Sequence, residues 1–216
     1  MKNENLKYDL LWAAVLGCLI VIMMVPPMAG FYQRFNADWP YATAFVKFFI
    51  MASMGEYLAK RIRTKQWRLP TYWFGRALVW GFLGIVIALA FQLFSGGVLA
   101  AAEKGFLPKS NLGFVNAFMT SALMNLIFAP VMMGFHRFTD TGFDLRSLGV
   151  TPTIVGMAEH IDWEQFFSFV VAKTIPLFWI PAHTITFLLP GEYRVLMAAL
   201  LSIVLGIILS IAKPKP

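Results

Sequence analysis

Ionisable and amide side chains within apolar stretches are the residues of this sequence best placed to do chemistry. A charged group inside a membrane is costly, so it normally faces a protein interior or a water-filled space. Lysine, glutamate and histidine interrupt the apolar runs at four positions, and two amides lie at comparable depths. The predicted substrate path comprises Lys47, Glu56, Gln92, Asn125, Lys173 and His183.

Two of these residues, Lys47 and Lys173, follow similar Asp-Trp pairs at similar spacing. Like-signed groups that line a narrow pore set its selectivity, so this pair predicts a preference for anions. Alternatively both lysines snorkel, because each lies only about two helical turns from an interface. Glu56 could pair with Lys173 or, more locally, with Lys60 four residues on. His183 could carry protons or simply form a hydrogen bond to a neighbour.

Metal and redox chemistry have no signature in the spacing. His136, His160 and His183 are not placed as metal ligands, and there is no Cys-x-x-Cys motif. The only cysteine, Cys18, cannot form an intramolecular disulfide. We therefore predict no metal site and no cofactor, and no catalytic residue is singled out.

Apolar segments long enough to form membrane helices would position these side chains. Hydrophobic residues make up 59% of the 216 positions and charged residues 13%, which is typical of a membrane protein. A helix crosses ~30 Å of hydrocarbon with about 20 residues. The six predicted spans are Leu10–Met28, Tyr41–Ala59, Ala77–Phe94, Phe114–Phe135, Phe166–Leu189 and Val195–Ala212. We predict an all-α integral membrane protein with a single domain, 1–216, and helix kinks at Pro176 and Pro181.

An internal repeat is indicated because residues 26–87 are echoed in order by residues 130–205. For example, Asp38-Trp39 corresponds to Asp162-Trp163, and Arg76 corresponds to Arg194. Each copy holds three predicted spans, so the second copy would enter the membrane inverted. Inverted repeats are common in secondary transporters, whose sites lie near the bilayer midplane. We predict repeats at 10–95 and 114–212; the alternative is chance similarity between apolar segments.

The net charge of +7 indicates an orientation, and no nucleic-acid partner is predicted. With a cytoplasmic N-terminus, twelve lysines and arginines fall on the inner side and four on the outer side. This bias predicts that both termini are cytoplasmic, in a bacterial inner membrane. The hairpin at 60–76 is strongly basic and could bind anionic headgroups. The predicted headgroup-binding residues are Lys60, Arg61, Arg63, Lys65 and Arg68.

Small residues recur at every fourth position of the last predicted span, and such stripes allow helices to approach closely in membranes. The stripe could pack within the chain or support a homodimer. It consists of Ala198, Ser202, Gly206 and Ser210.

The chain from the fourth span onward resembles the Mpv-seventeen and twenty-two-kilodalton peroxisomal membrane protein family. The resemblance rests on Phe128-Ala129-Pro130, Trp179, Pro181, Phe187, Pro190, Tyr193-Arg194 and Leu209-Ser210. It implies a pore-like role in small-solute permeation. The chain is also similar to small bacterial membrane proteins of unknown function that are built from Met-rich helix pairs. Met119, Met124, Pro130, Trp163 and Pro181 carry that second resemblance.

These observations predict a channel or transporter for a small solute or ion, with anions favoured by the two lysines. One alternative is a non-transporting membrane subunit that docks a partner protein. Another is an intramembrane enzyme that acts on lipid, although an enzyme is the less expected class.

Overall fold

The computed structural model describes the backbone of residues 2–24 and 26–212, and the side chains of residues 5–21 and 30–208. All regular secondary structure in these ranges is helical, which confirms the predicted all-α class. The elements are α1 (Lys2–Met24), α2 (Pro26–Asp38), α3 (Pro40–Thr64), α4 (Trp73–Glu103), α5 (Gly113–Ile127), α6 (Ala129–Ser147), α7 (Ile154–His160), α8 (Trp163–Gln165), a π-helix (Phe166–Trp179), α9 (Ile180–Leu188) and α10 (Gly191–Ala212).

Among the described residues, three helical segments are long and apolar enough to cross a membrane: Trp73–Glu103, Trp163–Leu188 and Gly191–Ile208. A fourth would be α5 and α6 taken as one bent span. Large apolar side chains on these segments face outward, such as Leu93 at 63% exposure and Leu177 at 76%. An apolar outer surface of this kind fits contact with lipid. Six spans were predicted, and three or four of the described segments meet this criterion of length and hydropathy.

Helix α3 lies at the centre of the bundle, where it packs against α4 and α10. Small residues allow the close contact with α10: a Cβ atom placed on Gly206 would lie 3.0 Å from the Gly55 carbonyl oxygen. Ala198 is buried in the same core, and Ser202 also lies beside Gly55. These three stripe residues therefore contact α3 of their own chain. The side chain of Ser210 lies outside the described residues, and the homodimer stays a prediction.

Prolines mark the points where the later helices depart from regular α geometry. Helices α5 and α6 meet at a bend of 43°, and Pro130 lies in the first turn of α6. Proline lacks a backbone N–H and its ring crowds the preceding turn, so an α-helix does not continue undisturbed through it. Pro176 lies inside the π-helix, and Pro181 lies in the first turn of α9.

Polar contacts join the beginning of α1 to the basic hairpin at 60–76. Arg61 forms an ion pair with Asp9 at 2.9 Å, and the indole nitrogen of Trp67 donates to Asp9 at 2.7 Å. The hydrogen bond from Arg61 lowers the pKa of Asp9 below its usual value. Arg61 is thus engaged within the chain, although we also predicted it as a headgroup ligand.

Candidate functional site

A cavity of about 380 Å³ runs inside the bundle between α3, α4, α5, α6, the π-helix, α9 and α10. Along α3 its wall extends from Phe48 to Arg63, which at 1.5 Å per residue corresponds to about 22 Å. Most of this wall is apolar, with phenylalanine, methionine and tryptophan side chains. Polar groups concentrate at two levels, which we call the cavity mouth (Arg63, Arg137, Asp140, Glu56 and His136) and the inner end (Asn125, His183 and Trp179).

The cavity mouth holds two carboxylates that converge on one imidazole. His136 Nε2 lies 3.4 Å from Glu56 Oε1 and 3.7 Å from Asp140 Oδ2. Glu56 comes from α3, whereas His136 and Asp140 lie one helical turn apart on α6 and therefore share a face. All three side chains are largely covered by protein. This arrangement can exchange a proton or bind a cation.

Neighbouring side chains hold this cluster in place. Arg76 Nη1 donates to Asp140 Oδ1 at 2.9 Å, and Arg76 also forms an ion pair with Asp144. The Trp80 ring lies against the His136 imidazole, with their centroids 4.1 Å apart. Arg63 and Arg137 are exposed beside the cluster. The mouth is therefore accessible, and its central imidazole is fixed by packing.

The inner end is a buried hydrogen-bonded pair, Asn125 and His183. His183 Nδ1 lies 3.0 Å from the Asn125 amide nitrogen and 3.1 Å from its oxygen. The ring nitrogen accepts from the amide when it is unprotonated and donates to the oxygen when it is protonated. Asn125 also donates to the Ser121 carbonyl oxygen at 2.8 Å, which anchors the amide to α5.

Aromatic rings enclose the inner end, and one of them, Trp179, has an indole N–H without a hydrogen-bond partner among the described residues. Trp179 stacks on the His183 ring at a centroid distance of 5.0 Å, and Phe91 meets the same ring edge-on at 5.6 Å. Trp179 is 9% exposed, and its indole N–H has no hydrogen-bond partner among the described residues. A buried donor without an acceptor is unfavourable, so this indole N–H is a local cost of the aromatic packing.

Three of the six predicted path residues line this cavity: Glu56, Asn125 and His183. The other three lie elsewhere. Gln92 and Lys173 are exposed on the outer surface of the bundle. Glu56 contacts His136, and among the described residues it forms an ion pair with neither of the two lysines considered as partners, Lys173 and Lys60.

Lys47 is buried at 7% exposure but lies between α2 and α3, away from the cavity lining. Its ammonium group donates to the side-chain oxygen of Asn36 and lies 5.0 Å from the centre of the Tyr32 ring. A buried amine needs such partners, because an unpaired charge would be unfavourable there. Lys47 therefore joins two helices, and the structure does not place it with Lys173.

Sequence reasoning missed the part of the mouth that comes from α6. His136, Asp140 and their neighbours Arg76 and Trp80 were not among the predicted path residues. One local signal was available, since His136 and Asp140 are four residues apart and must share a helix face. The third member of the cluster, Glu56, is 80 residues away from His136 on another helix, so no local spacing predicts it.

Comparisons of the chain with family models, with curated proteins and with solved structures find no match. The resemblances drawn from the sequence therefore stay predictions.

Proposed function

We propose that the protein is a membrane transporter and that its small solute binds in the cavity between the mouth and the inner end. The observation that carries this proposal is the cavity itself. Its volume, about 380 Å³, lies within the range of about 300–1,000 Å³ that is typical of small-molecule sites. Its apolar wall with a few convergent polar groups also fits such a site.

We further propose that the chain crosses a bacterial inner membrane six times, as two inverted repeats with both termini cytoplasmic. The helix order supports the repeats. In both copies a helix begins next to an Asp-Trp pair: α3 follows Asp38-Trp39, and α8 begins at Trp163 directly after Asp162. One long helix, α4 or α10, then ends each copy. The terminal residues 1 and 213–216 lie outside the described part of the chain.

The cavity lining favours neutral or cationic solutes. The hypothesis of anion selectivity depended on Lys47 and Lys173, and neither residue lines the cavity. Two ionisable residues of the mouth lie on α3, Glu56 and Arg63, and Glu56 is the one nearer to the apolar interior. A carboxylate at that position attracts cations and repels anions by ordinary Coulomb interaction. The arginines of the mouth, Arg63 and Arg137, are exposed and therefore more strongly screened.

Flux measurements with paired substitutions test the proposal. We reconstitute the full chain in proteoliposomes and follow protons, potassium and chloride with ion-sensitive dyes. Wild type should carry protons or potassium in preference to chloride. Glu56→Gln should lower that flux by about tenfold, which corresponds to roughly 1.4 kcal/mol of barrier.

Lys173→Ala is the matched control, because Lys173 is also charged but lies on the outer surface. Its flux should equal that of wild type. Absence of flux for all three ions, or flux that depends on Lys173 and not on Glu56, would contradict transport of ions through this cavity.

A second candidate is an intramembrane enzyme that acts on lipid. It is favoured by the combination of an apolar cavity with an acid–base cluster and two arginines at its mouth. Arginine binds phosphate, and an acyl chain would fit the apolar wall. Incubating the protein with phosphatidylglycerol vesicles and analysing the lipids by mass spectrometry distinguishes the two. Turnover that His136→Gln abolishes would favour the enzyme over the transporter.

A further inference from the structure

We propose that Glu56, His136 and Asp140 bind a divalent transition-metal ion, Zn²⁺ or one of similar chemistry, at the cavity mouth. Each residue offers one ligand atom, and the three atoms lie within 4.8 Å of one another. The inference goes beyond transport and does not depend on it, because metal binding is measured without any flux.

The two distances from the imidazole nitrogen fit a metal better than they fit direct hydrogen bonds. A tetrahedral metal with bonds of about 2.0–2.2 Å to nitrogen and oxygen separates its ligand atoms by roughly 3.3–3.6 Å. Here the imidazole nitrogen lies 3.4 Å from one carboxylate oxygen and 3.7 Å from the other. Hydrogen bonds between such groups are normally about 2.7–3.2 Å long. Both carboxylate oxygens therefore lie near the imidazole nitrogen but farther from it than a hydrogen bond would place them.

The neighbouring residues are arranged as in known metal sites, where outer partners orient the ligands. Asp140 uses Oδ1 to accept from Arg76, which leaves Oδ2 directed at the cluster. The Trp80 ring packs against the His136 imidazole, tilted by 39° from it, and this contact limits rotation of the imidazole. Two of the three ligands are therefore held in position before a metal binds.

The donor set and its surroundings indicate the class of metal. One imidazole and two carboxylates suit zinc and other first-row divalent ions, whereas magnesium and calcium prefer oxygen ligands alone. Three protein ligands leave a coordination position open, which is typical of zinc sites that act on a substrate. All three residues line the cavity, so the open position faces the space in which a solute would bind.

Calorimetry on the purified full chain tests the proposal. Untagged protein in detergent is treated with EDTA and then titrated with zinc chloride at neutral pH. Wild type should bind one zinc ion per chain. Substitutions of outer partners weaken metal sites by about 10- to 100-fold. Loss of a direct ligand in Glu56→Gln, His136→Gln or Asp140→Asn should weaken binding by at least that factor.

His160→Gln and Glu159→Gln are the matched controls, because both residues are exposed on α7 and lie outside the cluster. Both should bind zinc like wild type. The proposal is overturned if wild type binds no zinc, or if His136→Gln keeps the affinity of wild type.

X-ray absorption of zinc-loaded wild type keeps the test decisive if a ligand variant fails to fold. The proposal predicts a first shell of imidazole nitrogen and carboxylate oxygen without sulfur. A shell that lacks imidazole, or that contains sulfur from Cys18, would overturn it.

Discussion

Gly84→Val should destabilise the protein strongly and lower the yield of folded protein, because α3 and α4 touch at this residue. A Cβ atom on Gly84 would lie 2.6 Å from the carbonyl oxygen of Ala44 and 2.7 Å from Phe48 Cβ. Backbone atoms of a neighbouring helix cannot move aside as a flexible side chain can. Overpacking of this kind costs about 1–3 kcal/mol or more, a large part of the stability of most proteins. The thermal midpoint and the size-exclusion profile in detergent measure the loss.

Gly97→Val on the same helix is the matched control. A Cβ atom on Gly97 would meet nothing within 4 Å, so the same substitution has room there. This variant should be folded and close to wild type in thermal midpoint. If Gly84→Val were as stable as Gly97→Val, the close contact between α3 and α4 would be wrong. Since Phe48 lines the cavity, the shape of the site would then be wrong as well.

Asn125→Leu should destabilise the protein by about 1–3 kcal/mol, because it leaves buried polar groups without partners. Asn125 is fully buried, and its amide connects the Ser121 carbonyl oxygen with His183. Leucine is similar in size, so the loss reflects hydrogen bonding rather than a cavity. The free energy of unfolding, or the thermal midpoint where unfolding is irreversible, measures the effect.

A double substitution separates the pair from its surroundings. When both members of a buried polar pair become apolar, little desolvation penalty remains. Asn125→Leu with His183→Leu should therefore cost less than the sum of the single changes, by about 0.5–3 kcal/mol. Asn116→Leu on the same helix is the control. Asn116 donates to the Ser110 carbonyl oxygen near the N-terminal end of α5. Additive effects of Asn125→Leu and His183→Leu would contradict their direct contact.

The composition and hydropathy of the chain were sufficient to predict an all-helical structure with segments apolar enough to cross a membrane. They were also sufficient to single out Glu56, Asn125 and His183, since polar groups in apolar runs are costly unless they face the interior. The same rule does not distinguish these residues from Lys173, which is exposed, because a long lysine side chain can also extend along a helix surface toward water. It does not predict the surroundings of Lys47 either, since nothing local indicates that Asn36 and Tyr32 of another helix lie next to it.

Long-range partners account for most of what the sequence could not predict. Glu56 and His136 meet because α3 and α6 both line one cavity, which is a property of the packed bundle. Helical periodicity shows which residues share a face but not which faces meet. The π-helix is a similar case. Pro176 predicted a distortion of the fifth span, but several distortions satisfy a proline, and only the structure shows wide turns over Phe166–Trp179.

The central claim is that solute occupies this cavity, and thiol modification inside the cavity tests it most directly. Ser202 lines the cavity beside Gly55, so Ser202→Cys places a thiol there with little change in volume. Cys18→Ser removes the native thiol, which is exposed on α1. Ser168→Cys, on the exposed surface of the π-helix, is the matched control.

Each variant is treated in proteoliposomes with a water-soluble cationic methanethiosulfonate, and ion flux is measured before and after. We predict that modification at residue 202 blocks flux and that treatment of the residue 168 variant leaves it unchanged. Full modification at residue 202 with unchanged flux would contradict the account.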